Sequence, residues 1–240
     1  METPMPAAGS HDDPRRIARI AGFLYVLVIV APASMAVRSG IVIPGDALQT
    51  AGNLVSHESL FRLSLVIDLV GIIGYIGVTG LLYFLLRPCG RALSFTAALF
   101  STSGCIVSVV GLIALAGPLV ALGAGHPAAG PLPVGLALLP LAWREYFFQM
   151  AMTMFGVYCV LTGFLIIRAN FMPRILGPLM MLSGASYLVF CAAALLDPAL
   201  GVRLFPGALL PGIIGEGALT IWLLFRGVRA DEWWAQHNAQ

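Results

Sequence analysis

The sequence predicts an all-α fold, a polytopic bundle of about six transmembrane helices with both termini in the cytoplasm. Of the 240 residues, 59% have apolar side chains and only 10% are charged, whereas a soluble domain carries about a quarter charged residues. Apolar stretches of about 18 or more residues, long enough to cross a bilayer, recur along the chain. The 13 basic residues are all arginine, and they fall unevenly on the two sides that six spans define.

The N-terminal region combines a polar tail with a first apolar span. Residues 1–14 are rich in Pro, Ala, Gly, Ser and Asp, a composition typical of a disordered tail. The first span is predicted over residues 17–37. Small residues at 33–36 follow the apolar run, so cleavage of residues 1–36 as a signal peptide is an alternative. We favour an uncleaved span, because the apolar run is long and more membrane sequence follows.

Five further apolar stretches complete the predicted bundle. Their approximate bounds are residues 59–86, 93–122, 142–167, 175–196 and 208–225. Residues 15–229 therefore form one membrane domain, and residues 230–240 form a C-terminal tail. Residues 117–140 are apolar but include five prolines, which excludes one straight helix. This segment is expected to be interfacial or re-entrant, the latter where protein covers its backbone.

The arginine positions predict the orientation. Nine lie on the side of the two termini and four on the other side. The first group is Arg15, Arg16, Arg19, Arg87, Arg91, Arg168, Arg174, Arg226 and Arg229, and the second is Arg38, Arg62, Arg144 and Arg203. Cytoplasmic loops carry the excess of positive charge, so we expect a plasma-membrane protein with both termini in the cytoplasm. The net charge of +2 is too weak and dispersed for a nucleic-acid partner.

Span two carries a glycine at every third position, at Gly71, Gly74, Gly77 and Gly80. Missing side chains let membrane helices approach closely. We expect this face to pack against another helix, within the chain or in a homodimer. The four cysteines are far apart in the sequence and are expected to act as small apolar residues.

Five stretches of the chain carry a family resemblance. They are residues 19–25, 61–69, 81–88, 173–188 and 215–228, and they include Asp68 and the Gly215-Glu216 pair. In this order they resemble the bacterial membrane family known as domain of unknown function 4386. The resemblance implies the membrane fold and no activity, because the family has none assigned. Residues 117–140 do not clearly resemble it.

Three acidic residues lie inside predicted spans, where a charge costs several kcal/mol. Asp68 is near mid-membrane in span two, and Glu216 is similarly deep in span six between two glycines. Glu145 is nearer the outer end of span four, beside Arg144. Because acids at such depth are functional candidates, we take Asp68, Glu145 and Glu216 as candidate catalytic residues.

Polar and aromatic residues around these acids are candidates for substrate binding. Helical periodicity places Tyr75 on the face of Asp68, and Thr220 on the face of Glu216. The full set is Arg62, Tyr75, Trp143, Tyr146, Phe147, Gln149, Thr220 and Trp222. Apart from Trp222, near the cytoplasmic end of span six, they lie near mid-membrane or in its outer half, so we expect one polar pocket that opens outward. The alternative is purely structural, with Arg62, Arg144 and Asp68 in ion pairs that fix helix packing and Glu58–Arg62 as an interface pair.

Two classes of function fit these residues. The first is an enzyme that uses buried carboxyl groups for acid/base chemistry on an isoprenoid-like substrate, with aromatic faces for cationic intermediates. Small membrane terpene cyclases are similar to this in general plan. The second is a non-catalytic protein that binds or transports a membrane lipid or hydrophobic small molecule, with proton coupling as an option. No histidine or cysteine pair has metal-ligand spacing, and we expect neither a metal nor a cofactor.

Overall fold

The structure, a computed structural model, describes residues 13–123 and 133–239. These residues form helices and no strand. The helices are α1 (Pro14–Val30), α2 (Ala33–Ser39), α3 (Ala47–Ser56), α4 (Glu58–Leu86), α5 (Arg91–Ala121), α6 (Val134–Arg168), α7 (Leu176–Leu196), α8 (Pro198–Leu204), α9 (Leu210–Phe225) and α10 (Ala230–Asn238). Most of the predicted N-terminal tail and residues 124–132 of the proline-rich segment lie outside the described residues.

The described part of the chain contains six helical segments long and apolar enough to cross a membrane, which confirms the predicted all-α bundle. They are Pro14–Ser39, Glu58–Cys89, Arg91–Ala121, Val134–Arg168, Leu176–Leu196 and Gly207–Phe225. The largest difference from the prediction is in the fourth, which begins at Val134 and contains Pro140 inside the helix. The described parts of the proline-rich segment thus extend α5 and α6. Gly117 of α5 lies against Pro140 of α6, so a neighbouring helix covers this point, where proline is tolerated.

The six spans form a closed ring. Each contacts the next along the chain, α1 with α4, α4 with α5, α5 with α6, α6 with α7, and α7 with α9. A contact between α9 and α1 closes the ring. This arrangement encloses a central space that every span borders.

Helix α10 covers one end of the ring, which we call the terminal end. The Trp233 side chain is fully buried, its indole N–H donates to the Leu85 carbonyl oxygen at 2.8 Å, and its ring stacks on Phe84. The Gln236 amide donates to the Arg168 carbonyl oxygen at 3.1 Å, at the end of α6. Residues 230–238, predicted as a tail, are therefore a docked helix. The opposite end, with α2, α3 and α8, is the distal end.

The glycine face of span two packs within the chain. Gly74 and Gly77 lie against Leu24 of α1, and a Cβ at Gly74 would be 3.2 Å from the Leu24 carbonyl oxygen. Because α1 covers these positions, they are not available to a second copy of the chain. At Gly80 a Cβ would meet nothing within 4 Å.

A second glycine contact, not identified from the sequence, joins α6 to α7. Gly163 faces Gly177, and Gly156 faces Gly184. A Cβ on Gly163 would lie 2.5 Å from the Gly177 carbonyl oxygen, and a Cβ on Gly177 would lie 2.7 Å from that of Gly163. The two pairs are about two helical turns apart on both helices, so the backbones touch along a continuous line.

Candidate functional site

A cavity of ≈ 450 Å³ lies inside the ring, and all six spans line it. This volume is in the range of small-molecule sites. Most of the lining is apolar or aromatic, and the polar groups are concentrated at two places. We call these the head pole, near the distal end, and the inner pole, around Glu216.

The head pole is built on an ion pair between α2 and α4. Arg38 Nη1 donates to Asp68 Oδ2 at 2.7 Å, and the Ser34 hydroxyl donates to the other Asp68 oxygen. The chain interrupts its helix at residues 31–32, where Pro32 precedes α2. Ser34 and Arg38 are four residues apart, so they share the face of α2 that contacts α4. The Asp68 charge is therefore balanced inside the protein.

A second arginine, Arg144 of α6, also lines the head pole. Its Nη1 is 3.4 Å from Glu145 Oε1, a long contact to a side chain that is 64% exposed. Arg38 is 6% exposed, and its Nη2 is buried with no hydrogen-bond partner among the described residues. The head pole thus has two guanidinium groups against one lining carboxylate.

The inner pole contains Glu216 with neutral hydrogen-bond donors. The Tyr75 hydroxyl and the Cys159 thiol both donate to Glu216 Oε1, each at 3.3 Å, and Tyr187 lines the same cavity. Within residues 13–123 and 133–239, no arginine forms an ion pair with Glu216. Glu216 is thus a partly buried, cavity-lining carboxyl group that lacks a cationic partner in this part of the chain.

Glycines of α9 bring Glu216 to these donors. A Cβ at Gly212 would overlap the Tyr187 phenol, and a Cβ at Gly215 would overlap the Ser183 hydroxyl. Because both lack a side chain, α9 lies close to α7 at this level. On the α4 side, the Tyr75 ring is held against Phe155 with centroids 4.5 Å apart. These contacts position the donors before any ligand binds.

The two poles are about 10 Å apart, since Asp68 and Tyr75 are seven residues apart on α4 at 1.5 Å per residue. Between them the cavity wall is apolar and aromatic, with Phe147, Phe148 and Met152 of α6 among its members. The wall contains no further carboxyl group among the described residues. The site therefore has a polar head, an apolar body and an isolated acid.

Two of the residues that line the cavity are apolar and exposed on the outside of the bundle. Ile29 of α1 and Ile213 of α9 both line it, and they are 39% and 60% exposed. Exposed apolar side chains at this position face the bilayer if the six spans cross a membrane. Apolar residues shared by the lining and the outer surface suit an apolar ligand that arrives from the lipid phase.

The structure brings together only part of the predicted site. Asp68, Tyr75, Phe147 and Glu216 line the cavity, and Thr220 lies behind it, where its hydroxyl donates to the Glu216 backbone carbonyl oxygen at 2.7 Å. Six other predicted residues do not line the cavity, namely Arg62, Trp143, Glu145, Tyr146, Gln149 and Trp222.

The rotation of α6 explains most of these exclusions. Arg144, Phe147 and Phe148 face the cavity, so Trp143 and Tyr146 point outward and are 53% and 55% exposed. Glu145 is exposed for the same reason. Arg62 pairs instead with Glu58 at 2.6 Å near the start of α4, the interface pair weighed as an alternative.

Five members of the site were not predicted as such, namely Ser34, Arg38, Arg144, Cys159 and Tyr187. The available signal for Arg38 was an arginine at the outer end of span one, on the same side of the predicted bundle as the deep acids. Cys159 and Tyr187 had no such signal, because tyrosine and cysteine in apolar helices are usually packing residues. The described residues contain no group of three or more His, Cys, Asp or Glu side chains suited to a metal ion.

Comparison with known proteins identifies one match. Residues 20–227 match the sequence family described as "Domain of unknown function (DUF4386)". No curated protein and no solved structure matches the chain. The matched region contains both poles of the cavity and all six spans except the first residues of α1.

Proposed function

This chain belongs to the family of domain of unknown function 4386, and from its cavity we propose a membrane enzyme in which Glu216 exchanges a proton with an isoprenoid-like substrate. The observation that supports this proposal is the Glu216 carboxyl group, which faces an apolar cavity and is held by neutral donors. A carboxyl group in such surroundings retains its proton near neutral pH and can donate it where water is excluded.

The proposed reaction is a proton-catalysed isomerisation or cyclisation. Glu216 donates its proton to a carbon–carbon double bond, which gives a carbocation and a carboxylate. The faces of Tyr75, Phe147 and Phe155, all lining the cavity, stabilise the cation. The Glu216 carboxylate then removes a proton from a neighbouring carbon, which forms the new double bond and restores the acid. No electrons are gained or lost, so no redox cofactor is needed.

Asp68 takes a different role in this proposal. Its charge is balanced by Arg38 at 2.7 Å, so it is not suited to proton donation. It fixes the position of the Arg38 guanidinium group at the head pole. Of the three acids considered from the sequence, Glu216 is the proton donor, Asp68 is a positioning residue, and Glu145 lies outside the cavity lining.

The second candidate is a non-catalytic protein that binds or transports a hydrophobic small molecule. The observation that favours it is the mostly apolar lining with a single unpaired carboxyl group among the described residues, which suits binding of a hydrophobic molecule without a chemical step. In that case Glu216 is a polar ligand or a proton carrier. Both candidates share the same binding cavity.

Turnover in deuterated water distinguishes the two. Purified protein in lipid nanodiscs is incubated with polyprenyl and prenylated aromatic compounds, and products are analysed by mass spectrometry. The enzyme proposal predicts isomeric products that contain deuterium. Glu216→Gln removes the acid with little change in shape and should abolish them, whereas Glu145→Gln, the same change on an exposed carboxylate outside the cavity, should retain activity. Turnover by Glu216→Gln at the wild-type rate contradicts the proposal, and thermal stabilisation by these compounds without turnover supports the second candidate.

We also propose that the protein lies in a bacterial plasma membrane with the terminal end in the cytoplasm. The start of α1 lies against Gly227 after α9, and the ends of α4 and α6 contact α10. The nine arginines counted on the side of the termini therefore belong to one end of the ring. The positive-inside rule assigns that end to the cytoplasm, and reporters fused to the C-terminus test this orientation.

A further inference from the structure

We propose that the head pole binds the anionic headgroup of an amphipathic ligand whose apolar chain extends to Glu216. This inference rests on the proposed function and specifies its substrate class. It depends on a charge balance, an unpartnered donor and the distance between the poles.

The charge balance at the head pole favours an anion. Arg38 and Arg144 line the cavity, and Asp68 is the carboxylate that faces them. Both guanidinium groups line the same cavity, where like charges repel each other. One negative charge from a ligand balances the pole and relieves this repulsion.

The unpartnered donor is on Arg38. This residue is 6% exposed, Nη1 donates to Asp68, and Nη2 is buried with no hydrogen-bond partner in the described part of the chain. A buried donor without a partner is costly. The planar guanidinium group suits a carboxylate or phosphate oxygen, and because Arg38 lines the cavity, a small rotation of its side chain would bring Nη2 to an anionic headgroup bound there.

Arg144 is the second contact for the headgroup. Its side chain is 18% exposed, and its contact with Glu145 is long at 3.4 Å, to a carboxylate that points out of the cavity. Arg144 can therefore turn toward a ligand without leaving a buried charge unpaired. This freedom also makes it the safer position for mutation.

The body of the cavity defines the rest of the ligand. An apolar chain that starts at the head pole must span about 10 Å to reach the inner pole, because Asp68 and Tyr75 are seven residues apart on α4. The wall along this path is apolar and aromatic. The ligand class is therefore a fatty-acid-like or prenyl-phosphate-like anion with one chain, and a carboxylate and a phosphate are the two versions of the headgroup.

Three probes with one chain length test this inference. Dodecanoate, dodecyl phosphate and dodecanol are titrated into nanodiscs of neutral lipid containing the protein, and binding is measured by calorimetry. We expect at least one anion to bind about tenfold more tightly than the alcohol, as a charge-assisted hydrogen bond implies. The preferred anion shows whether the head is a carboxylate or a phosphate.

Variants assign the preference to the head pole. Arg144→Gln should remove most of the anion preference and leave dodecanol binding unchanged. Asp68→Asn should increase anion affinity, because it removes the negative charge that competes for Arg38. Arg203→Gln, an exposed arginine of α8 outside the cavity lining, is the matched control and should behave like the wild type.

Two results would overturn the inference. Equal affinity of the wild type for the alcohol and the anions contradicts the headgroup site. An equal loss of affinity for all three probes in Arg144→Gln contradicts it as well. If Asp68→Asn does not fold, Arg144→Gln decides the outcome. A protein that binds dodecanol but shows no anion preference retains the proposed cavity and loses only the headgroup, whereas a protein that binds none of the three loses the proposed function as well.

Discussion

One added methyl group at Gly163 should separate α6 from α7. A Cβ at this position would lie 2.5 Å from the Gly177 carbonyl oxygen, and ordinary van der Waals contact begins at 3.4 Å. The α7 backbone must therefore retreat by 3.4 − 2.5 = 0.9 Å. Overpacking of this kind costs about 1–3 kcal/mol, and the better helix propensity of alanine offsets about 0.5–1 kcal/mol. We expect Gly163→Ala to lower the free energy of unfolding by about 1–2 kcal/mol.

The assay for this prediction uses the protein's own thiols. The four cysteines are free and buried, so a thiol-reactive dye fluoresces only as the bundle opens on heating. Gly80→Ala is the matched control, because it is the same change inside α4 where a Cβ meets nothing within 4 Å. Gly163→Ala should melt below the wild type, and Gly80→Ala should melt with it or above it. A Gly163→Ala protein that melts with the control would refute the close contact of α6 and α7.

Two further predictions concern stability at the two ends of the ring. Arg38→Gln leaves the Asp68 carboxylate without its cation and should lower the free energy of unfolding by about 3–5 kcal/mol in a denaturant titration. The double variant with Asp68→Asn should recover most of this loss. A double variant as unstable as the single one contradicts a role for the charge. Trp233→Ala removes the stacked ring and the hydrogen bond to Leu85 and should lower the free energy of unfolding by about 3–5 kcal/mol in the same titration. Trp234 is only partly buried, so Trp234→Ala should cost clearly less. Equal losses would show that α10 is not anchored through Trp233.

The fold could be predicted from the sequence because each membrane span depends mainly on the composition of its own stretch of chain. Each span is recognisable from the length and hydropathy of its apolar stretch. The six spans lie close to their predicted positions. The start of α6 was predicted too late in the sequence, because Pro140 was taken as a boundary. In the structure Pro140 lies inside α6, where Gly117 of α5 packs against it. Helix α10 was also missed. A polar helix of 9 residues is marginal alone, and its stability comes from the docking of Trp233, which is a tertiary contact.

The way each span faces the ring explains why several side chains predicted to share one pocket do not line it. Helical periodicity gives the residues that share a face, but not which face of each span turns inward. On α6 the inward face contains Phe147 and Phe148, so the neighbouring Trp143 and Tyr146 face outward. The glycine pairs of α6 and α7 were missed for the same reason. Each of these glycines matters because the backbone and side chains of the facing helix lie against it, and the sequence of one helix does not show which helix faces it.

Depth alone made Asp68 and Glu216 equivalent in the sequence, and their partners make them different. Asp68 is next to a guanidinium group, so its negative charge is compensated inside the protein. Glu216 has hydroxyl and thiol donors, and among the described residues no cation pairs with it to offset the cost of a lasting charge in an apolar site. Proton transfer to a substrate changes this, since it creates the carboxylate and a positive substrate in contact at the same moment. The inner pole, which has no permanent cation among the described residues, is therefore suited to a reaction that forms a transient cation. The head pole, with its two arginines, is suited to holding an anionic headgroup.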